Sequence, residues 1–291
     1  MESITIVALG THWWIELFDE MSPERRNGIA NAITTLLSSI EERFSRFRED
    51  SLVSTLNRER SVATSDRDLA ELIGIGRSTY RHTKSAFNIL IGDALMARGY
   101  DNTYSLVAME RAVEIGNPLT DLDYNDNTWR LSTGLLDLGG IGKGWAIDKV
   151  AELLRNNGVV EFLINGGGDM YGTTEHNEPI TIYLEHPTET QTYLGTTTIM
   201  NQGFAASSTY KRRWQTAAGE TSHIIDDTKV IDASFVIATD AVTADIFATT
   251  ALLLPEEDFA PLAMQERVSY SLFIVATGEL RTTPNFPLHR L

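Results

Sequence analysis

The sequence predicts an α+β fold for the 291 residues. Three observations lead there. Helical and strand-like patterns are mixed along the chain with no regular βαβ alternation. The part after residue 172 is dominated by short strand patterns. No repeat, low-complexity tract or linker rich in Pro, Gly and Ser divides the 291 residues, a length that supports a large core in one domain or two.

The elements follow in order. Ile4 to Leu9 and His12 to Phe18 alternate like two strands joined at Gly10-Thr11. Ser22-Pro23-Glu24 starts a helix, with serine as N-cap and proline at the first helical position; Ile29, Ile33, Leu36, Ile40 and Phe44 give it one apolar face. Ser45 to Asp50 is a polar turn carrying Arg46, Phe47 and Arg48, and Ser51 to Asn57 is a short helix. Another helix follows Thr64-Ser65-Asp66, with Leu69, Leu72, Ile73 and Tyr80 at helical spacing. Phe87 to Ile91 reads as a strand, Ser105 to Ile115 as a helix, and Leu122 to Leu131 as a hairpin turning at Asn125-Asp126-Asn127. Past the middle come strands at Ile180 to Leu184, Tyr193 to Met200, Phe204 to Ser208 and Ser222 to Ile225. Helices at Asp240 to Leu254 and Glu256 to Gln265 and a strand at Tyr270 to Ala276 close the chain.

The middle, Leu136 to Gly172, organises the rest. It holds a glycine-rich turn with one lysine, Gly139-Gly140-Ile141-Gly142-Lys143-Gly144, then a helix with Trp145, Ile147, Val150, Ala151 and Leu154 on one face. An apolar strand follows from Glu161 to Ile164, ending in Asn165 and three glycines. Glycines before a helix start let backbone N–H groups approach an anion, and the helix dipole and Lys143 add positive potential. That pattern predicts a phosphate site facing a second glycine-rich turn; a plain helix start with flexible glycines is the alternative. It is neither a P-loop, since Gly144 follows Lys143 where Ser or Thr belongs, nor a dinucleotide fingerprint, since Trp145 stands where the third glycine belongs.

Composition narrows the partners. The net charge of −16 argues against nucleic acid or an anionic membrane, and a bound anion must rely on local help from a metal or a lysine. With no cysteine, disulfides and thiolate metal sites are excluded. The start lacks a basic and apolar leader, and no stretch reaches membrane-spanning length, which predicts a soluble cytoplasmic protein.

Three further places carry candidate chemistry. Asp245 and Thr249 lie four apart on a helix, so a carboxylate and a hydroxyl share one face. Few protein oxygens plus phosphate oxygens suit Mg²⁺; an ordinary acid in the first turn of a helix is the other reading. His223 is polar within an apolar strand pattern, as a general base or a structural histidine would be. Ala205 to Arg213 offers hydroxyls followed by Lys211-Arg212-Arg213, suited to a phosphate, an acidic partner or plain solvation.

Taken together and in order, the motifs resemble the ApbE family of flavin transferases across nearly the whole chain. Leu136 to Gly144 with Asp148 resembles the family's DLGGIAKGxxxD, Asn165 to Asp169 its NxGGD, and Ala206-Ser207-Ser208 its ATSG. Ser222 to Asp226 resembles its SHIID, and Thr243-Ala244-Asp245 with Thr249 its TADxxAT. Leu9-Gly10-Thr11 sits at its MGT; Phe44 to Phe47, Ser51 and Leu56-Asn57 resemble its FSxY…S…LN. Three places depart: Asp227 to Val230 lacks the family's proline and glycine, Arg98-Gly99-Tyr100 stands at its WGF, and Thr209 stands at the glycine of its ATSG.

The resemblance implies a compact domain of mixed, mainly antiparallel sheets flanked by helices. It implies a Mg²⁺-dependent FAD:protein FMN transferase that moves FMN from FAD to a Thr or Ser of a target flavoprotein and releases AMP. A non-catalytic FAD-binding protein and an FAD pyrophosphatase are the alternatives. Carried over residue by residue, Asp245, Thr249 and the Gly140 carbonyl hold Mg²⁺, and His223 deprotonates the attacking hydroxyl. Leu9, Phe47, Arg98, Gly99, Tyr100, Asp137, Lys143, Gly167, Gly168, Ser208 and His223 contact FAD.

Overall fold

The computed structural model describes residues 3–100, 107, 109, 111–174, 178–210, 213–216, 219–222 and 230–290. The chain divides into two compact units, the first made of Met1–Ser39, Gly142–Lys211 and Thr228–Leu291, the second of Ile40–Ile141 and Arg212–Asp227.

In chain order, β1 (Ile4–Ala8) and β2 (Thr11–Leu17) form a hairpin, and α1 (Pro23–Phe44) starts where Ser22 Oγ accepts the Arg25 N–H at 3.3 Å. Then come α2 (Leu52–Glu59), β3 (Ser61–Ala63), α3 (Arg67–His82), α4 (Gly92–Ala97), β4 (Leu122–Asn125) and β5 (Thr128–Leu131). They are followed by α5 (Gly142–Asn156), β6 (Phe162–Gly166), β7 (Asp169–Thr173), β8 (Ile180–Glu185), β9 (Tyr193–Ile199), β10 (Gln202–Ser208), β11 (Arg213–Thr216) and β12 (Gly219–Ser222). The last are β13 (Ala233–Ala238), α6 (Ala241–Leu253), α7 (Glu256–Gln265), β14 (Ser269–Ile274) and β15 (Glu279–Thr282). The fold class is α+β, and the paired strands run antiparallel.

The first unit is built on one eight-stranded sheet in the order β1-β2-β6-β7-β10-β13-β14-β15. Helix α5 packs on β6 and β7, α6 packs on β10 and β13, and the two helices pack on each other. The β8–β9 hairpin joins a core of Ile182, Leu184, Ile199, Phe204, Phe235 and Phe273. Strand β13 is buried along its whole length: Ser234 Oγ donates to the Ala248 carbonyl of α6 at 2.6 Å, while the next residue, Phe235, points into the hairpin core. Each such aromatic contributes about 1.5–3 kcal/mol by leaving water. The second unit holds α2, α3, α4, the sheet β3-β5-β4 and the β11–β12 hairpin. Asp126 and Asn127, with φ of 50° and 53°, make the tight turn between β4 and β5.

Several expectations change. Phe87 to Ile91 is not a strand. The Thr83 hydroxyl accepts the Phe87 N–H at 3.1 Å and Asn88 Oδ1 accepts the Leu90 N–H at 2.8 Å, so side chains satisfy the backbone that a ladder would have used. Only Ile91 bridges, to Leu135. Of the helix expected at Ser105 to Ile115, residues 111–115 are extended or irregular, held where Asp93 accepts from the Arg111 guanidinium at 3.0 Å and from the Glu114 N–H at 2.8 Å; part of the span lies outside the described residues. The strand expected at Ser222 to Ile225 is described only at Ser222, the end of β12. Strands β3, β7, β11, β13 and β15 and helix α4 were not anticipated.

Candidate functional site

In the first unit, three backbone segments deliver one charged cluster. Helix α5 begins at Gly142 and puts Lys143 in its first turn. Helix α6 begins after Asp240, whose carboxylate accepts the Thr243 N–H at 2.8 Å. Asp245 falls in the second turn of α6 and is 4% exposed, so it is not a solvated first-turn acid. Strand β7 begins at Asp169, 3% exposed, just after Gly167 and Gly168, whose φ angles of 78° and 105° favour glycine.

The starts of α5 and α6 are locked together. A Cβ on Gly144 would lie 2.5 Å from the Ala241 carbonyl oxygen and 2.7 Å from Val242 Cα, so only glycine permits the crossing. The Asp148 carboxylate of α5 accepts the Ala241 and Val242 N–H groups, both at 2.9 Å, and caps α6 from outside. With the helices so held, the Gly144 N–H donates to Asp245 Oδ2 at 3.0 Å. Lys143 Nζ donates to Asp169 Oδ2 and lies 3.4 Å from Asp245 Oδ2. The Ala206 N–H reaches Asp169 Oδ1 at 3.4 Å, and Ser207 Oγ lies 3.4 Å from Thr249 Oγ1.

Electrostatics separates this arrangement from the expected one. The N–H of Gly144, at the glycine-rich helix start, is taken by the protein's own Asp245 carboxylate. Two buried carboxylates face one ammonium. Burial raises the Asp245 carboxyl above its ordinary range; Lys143 opposes the rise and Asp169 adds to it. Burial likewise lifts Asp148, to about 6, against its two backbone donors. A cluster short of positive charge, with carboxylate and hydroxyl oxygens on one helix face, fits a hard divalent cation. Among the described residues no three His, Asp or Glu side chains gather as ligands, so such a cation would also need hydroxyl, carbonyl, water or substrate oxygens.

Beside the cluster the first unit has a cavity of about 340 Å³ lined by Gly167, Gly168, Ser207, Ser208, Phe204 and Trp14, among others. Leu9 and Gly10, with φ of 53° and 70°, form the β1–β2 turn. A leucine in the left-handed region is uncommon and strained.

The second unit holds its own buried pair. Asn57 clamps the backbone of Leu136, donating to its carbonyl at 2.9 Å and accepting its N–H at 2.7 Å. The next residue, Asp137, accepts the Gly139 N–H at 2.7 Å and lies 2.5 Å from Arg46 Nε. Arg46 Nη2 donates to the Tyr100 carbonyl at 2.7 Å, and the guanidinium sits over the Phe47 ring at 4.2 Å and the Tyr100 ring at 5.1 Å. Its buried Nη1 has no hydrogen-bond partner among the described residues. Arg98 and Gly99 shape the turn after α4, and Gly140 leaves room only for the Phe87 ring, 3.0 Å from where a Cβ would be. A cavity of about 660 Å³ is lined by Arg46, Ser54, Asn57 and Arg58, among others.

Thus Lys143 and Asp245 meet in one place, with Thr249 on the same helix as Asp245 and facing Ser207, and Asp137, Phe47 and Tyr100 meet through Arg46. His223 lies outside the described residues. The sequence did not single out Asp169, Asp148, Arg46 or Asn57, although all four stand inside the quoted motifs: Asp169 and Asp148 as the acids ending NxGGD and DLGGIAKGxxxD, Arg46 and Asn57 within FSxY…S…LN.

The cluster and sheet define an α+β protein with two buried carboxylates beside a lysine. Residues 9–273 match the ApbE family, and the chain belongs to it. A relative from Klebsiella pneumoniae (strain 342), named FAD:protein FMN transferase, is 26% identical over 87% of this chain and 84% of its own. One of the same name from Haemophilus influenzae is 23% identical over 94% and 86%. Among solved structures, the ApbE protein of Thermotoga maritima shares the fold with a TM-score of 0.82 at 20% identity, over 97% of each chain. The flavin transferase ApbE from Vibrio cholerae does so with 0.78 at 19%, over 97% and 96%.

Proposed function

We propose that the protein is a Mg²⁺-dependent FAD:protein FMN transferase acting on a Thr or Ser of a target flavoprotein. The observation that carries this reading is the half-buried Lys143 paired with the buried Asp169 and Asp245, with Thr249 on the same helix as Asp245, which family membership connects to flavin transfer. The acceptor hydroxyl oxygen forms a bond to the FMN phosphorus, the bond from that phosphorus to the bridging oxygen breaks, and AMP leaves with the electron pair. Such a displacement needs charge neutralisation and in-line placement more than covalent help from protein groups.

Asp245 and Thr249 would hold Mg²⁺, which supplies positive charge to the pyrophosphate. Lys143 adds a second cationic group, and Gly167, Gly168 and Ser208 offer a glycine-rich wall for the dinucleotide. His223 takes the hydroxyl proton; its role, like those of Leu9, Phe47, Arg98, Gly99, Tyr100, Asp137 and Gly140 toward FAD or metal, rests on the motif order alone. Residues 1–291 work as one module in the cytoplasm, and the charge of −16 turns nucleic acid away. No helix among the described residues is long and apolar enough to cross a membrane. The test is AMP release from FAD with and without an acceptor flavoprotein. Release that depends on the acceptor supports transfer, release without it means hydrolysis, and none under any condition leaves an FAD-binding protein.

A further inference from the structure

Helices α5 and α6 clamp each other reciprocally, each offering a carboxylate to the other's backbone. The Gly144 N–H of α5 donates to Asp245 Oδ2 of α6, and the Ala241 and Val242 N–H groups of α6 donate to the Asp148 carboxylate of α5. Gly144 and Asp148 lie four residues apart, so both halves of the clamp arise from one face of α5. The start of α6 is seated on the sheet as well: a Cβ on Gly203 of β10 would lie 2.3 Å from the Asp240 carbonyl oxygen. Asp245 follows Ala241 by about one helical turn and Thr249 by about two, so the seat of the first turn sets where both oxygen-bearing side chains point. Burial outweighs the two backbone donors and disfavours the Asp148 charge, so stability alone does not account for an acid at this place.

We propose that Asp148 is a positioning residue for the cation site: by fixing the first turn of α6 against α5, it aims Asp245 and Thr249 at the metal. This inference rests on the proposed function's assignment of Asp245 as a metal ligand. Binding groups must stay within about 0.5 Å of their working geometry, and loss of a supporting hydrogen bond weakens a metal by about 10- to 100-fold.

The test is calorimetric Mg²⁺ titration of the full chain as wild type, Asp148→Ala, Asp148→Asn and Asp240→Ala, each shown by a thermal melt to be folded at the titration temperature. Asp240 caps the same helix end through α6's own Thr243 N–H, so its loss loosens α6 without removing the tie to α5. Asp148→Ala is expected to weaken Mg²⁺ about tenfold, Asp148→Asn, with one acceptor oxygen for two donors, about threefold, and Asp240→Ala less than about twofold. Asp148→Ala binding Mg²⁺ as tightly as wild type overturns the proposal and leaves Asp148 a structural lock. Equal weakening by Asp240→Ala overturns it too, because any loss at the α6 start would then suffice. Should Asp148→Ala not fold, the Asp148→Asn titration decides on the same terms. Asp245→Asn is titrated alongside; if it binds Mg²⁺ as tightly as wild type, the metal assignment itself fails, a separate result.

Discussion

Both units bury an aspartate against a cationic side chain, with opposite balance. In the first, Asp169 and Asp245 outnumber Lys143. In the second, Asp137 and Arg46 match one to one, and Arg46 Nη1 has no hydrogen-bond partner among the described residues. Buried charges are stable only when paired or neutralised, and burial raises the Asp245 carboxyl above its ordinary range in the first cluster. The same residue type therefore does different work in each unit, and the contrast can be broken or sharpened by mutation.

Asp245→Asn carries the largest expected effect. It keeps shape and removes charge, so the fold survives, Mg²⁺ binds poorly, and activity falls by about 10³-fold, with partial recovery at high Mg²⁺. Activity titrated against Mg²⁺, beside a thermal melt, checks this; a variant that simply unfolds would make Asp245 structural and erase the contrast. Arg46→Ala comes next. It leaves the Asp137 carboxylate buried without its ion pair, and a denaturant melt should register a loss of about 3–5 kcal/mol, largely independent of Mg²⁺. A loss that added Mg²⁺ repairs would place Arg46 in the metal cluster's account instead.

His223→Ala should lower AMP release about a hundredfold while FAD and Mg²⁺ binding stay nearly intact, as expected for a lost general base. A fully active variant moves the base elsewhere, with Asp226 next to be tried. Asp148 gives the smallest effect, with a distinctive sign. Its folded-state pKa, raised to about 6, lies above the unfolded value. Its contribution to stability is therefore complete below the ordinary carboxylate range and is lost as pH rises through about 6. Wild type should lose about 1 kcal/mol relative to Asp148→Asn between pH 5 and 7, measured by paired denaturant melts. A gap that widens with pH would mean that the two α6 N–H donors outweigh burial.

What the sequence made legible was local. Ser22 and Pro23 marked the start of α1, Asn125 to Asn127 marked the turn between β4 and β5, and the four-residue spacing of Asp245 and Thr249 placed both on α6. What it hid was long-range or non-periodic. Strand β13, Ala-Ser-Phe-Val-Ile-Ala, is covered on both faces and so shows no alternation. Asp148 bonds residues 93 and 94 positions away, and Lys143 pairs with an acid 26 positions on. Nothing in either segment alone reveals those partners. The Asp245 partner of the Gly144 N–H was hidden for the same reason, since it comes from a helix 101 positions later.

On the proposed function, the lysine–carboxylate cluster serves Mg²⁺-dependent FMN transfer. The most direct measurement is the intact mass of an acceptor flavoprotein after incubation with this protein, FAD and Mg²⁺, alongside the same mixture with a chelator. The account predicts an acceptor heavier by one esterified FMN only when Mg²⁺ is present, with an equal amount of AMP. An acceptor left unmodified, or modified to the same extent under chelation, would contradict it.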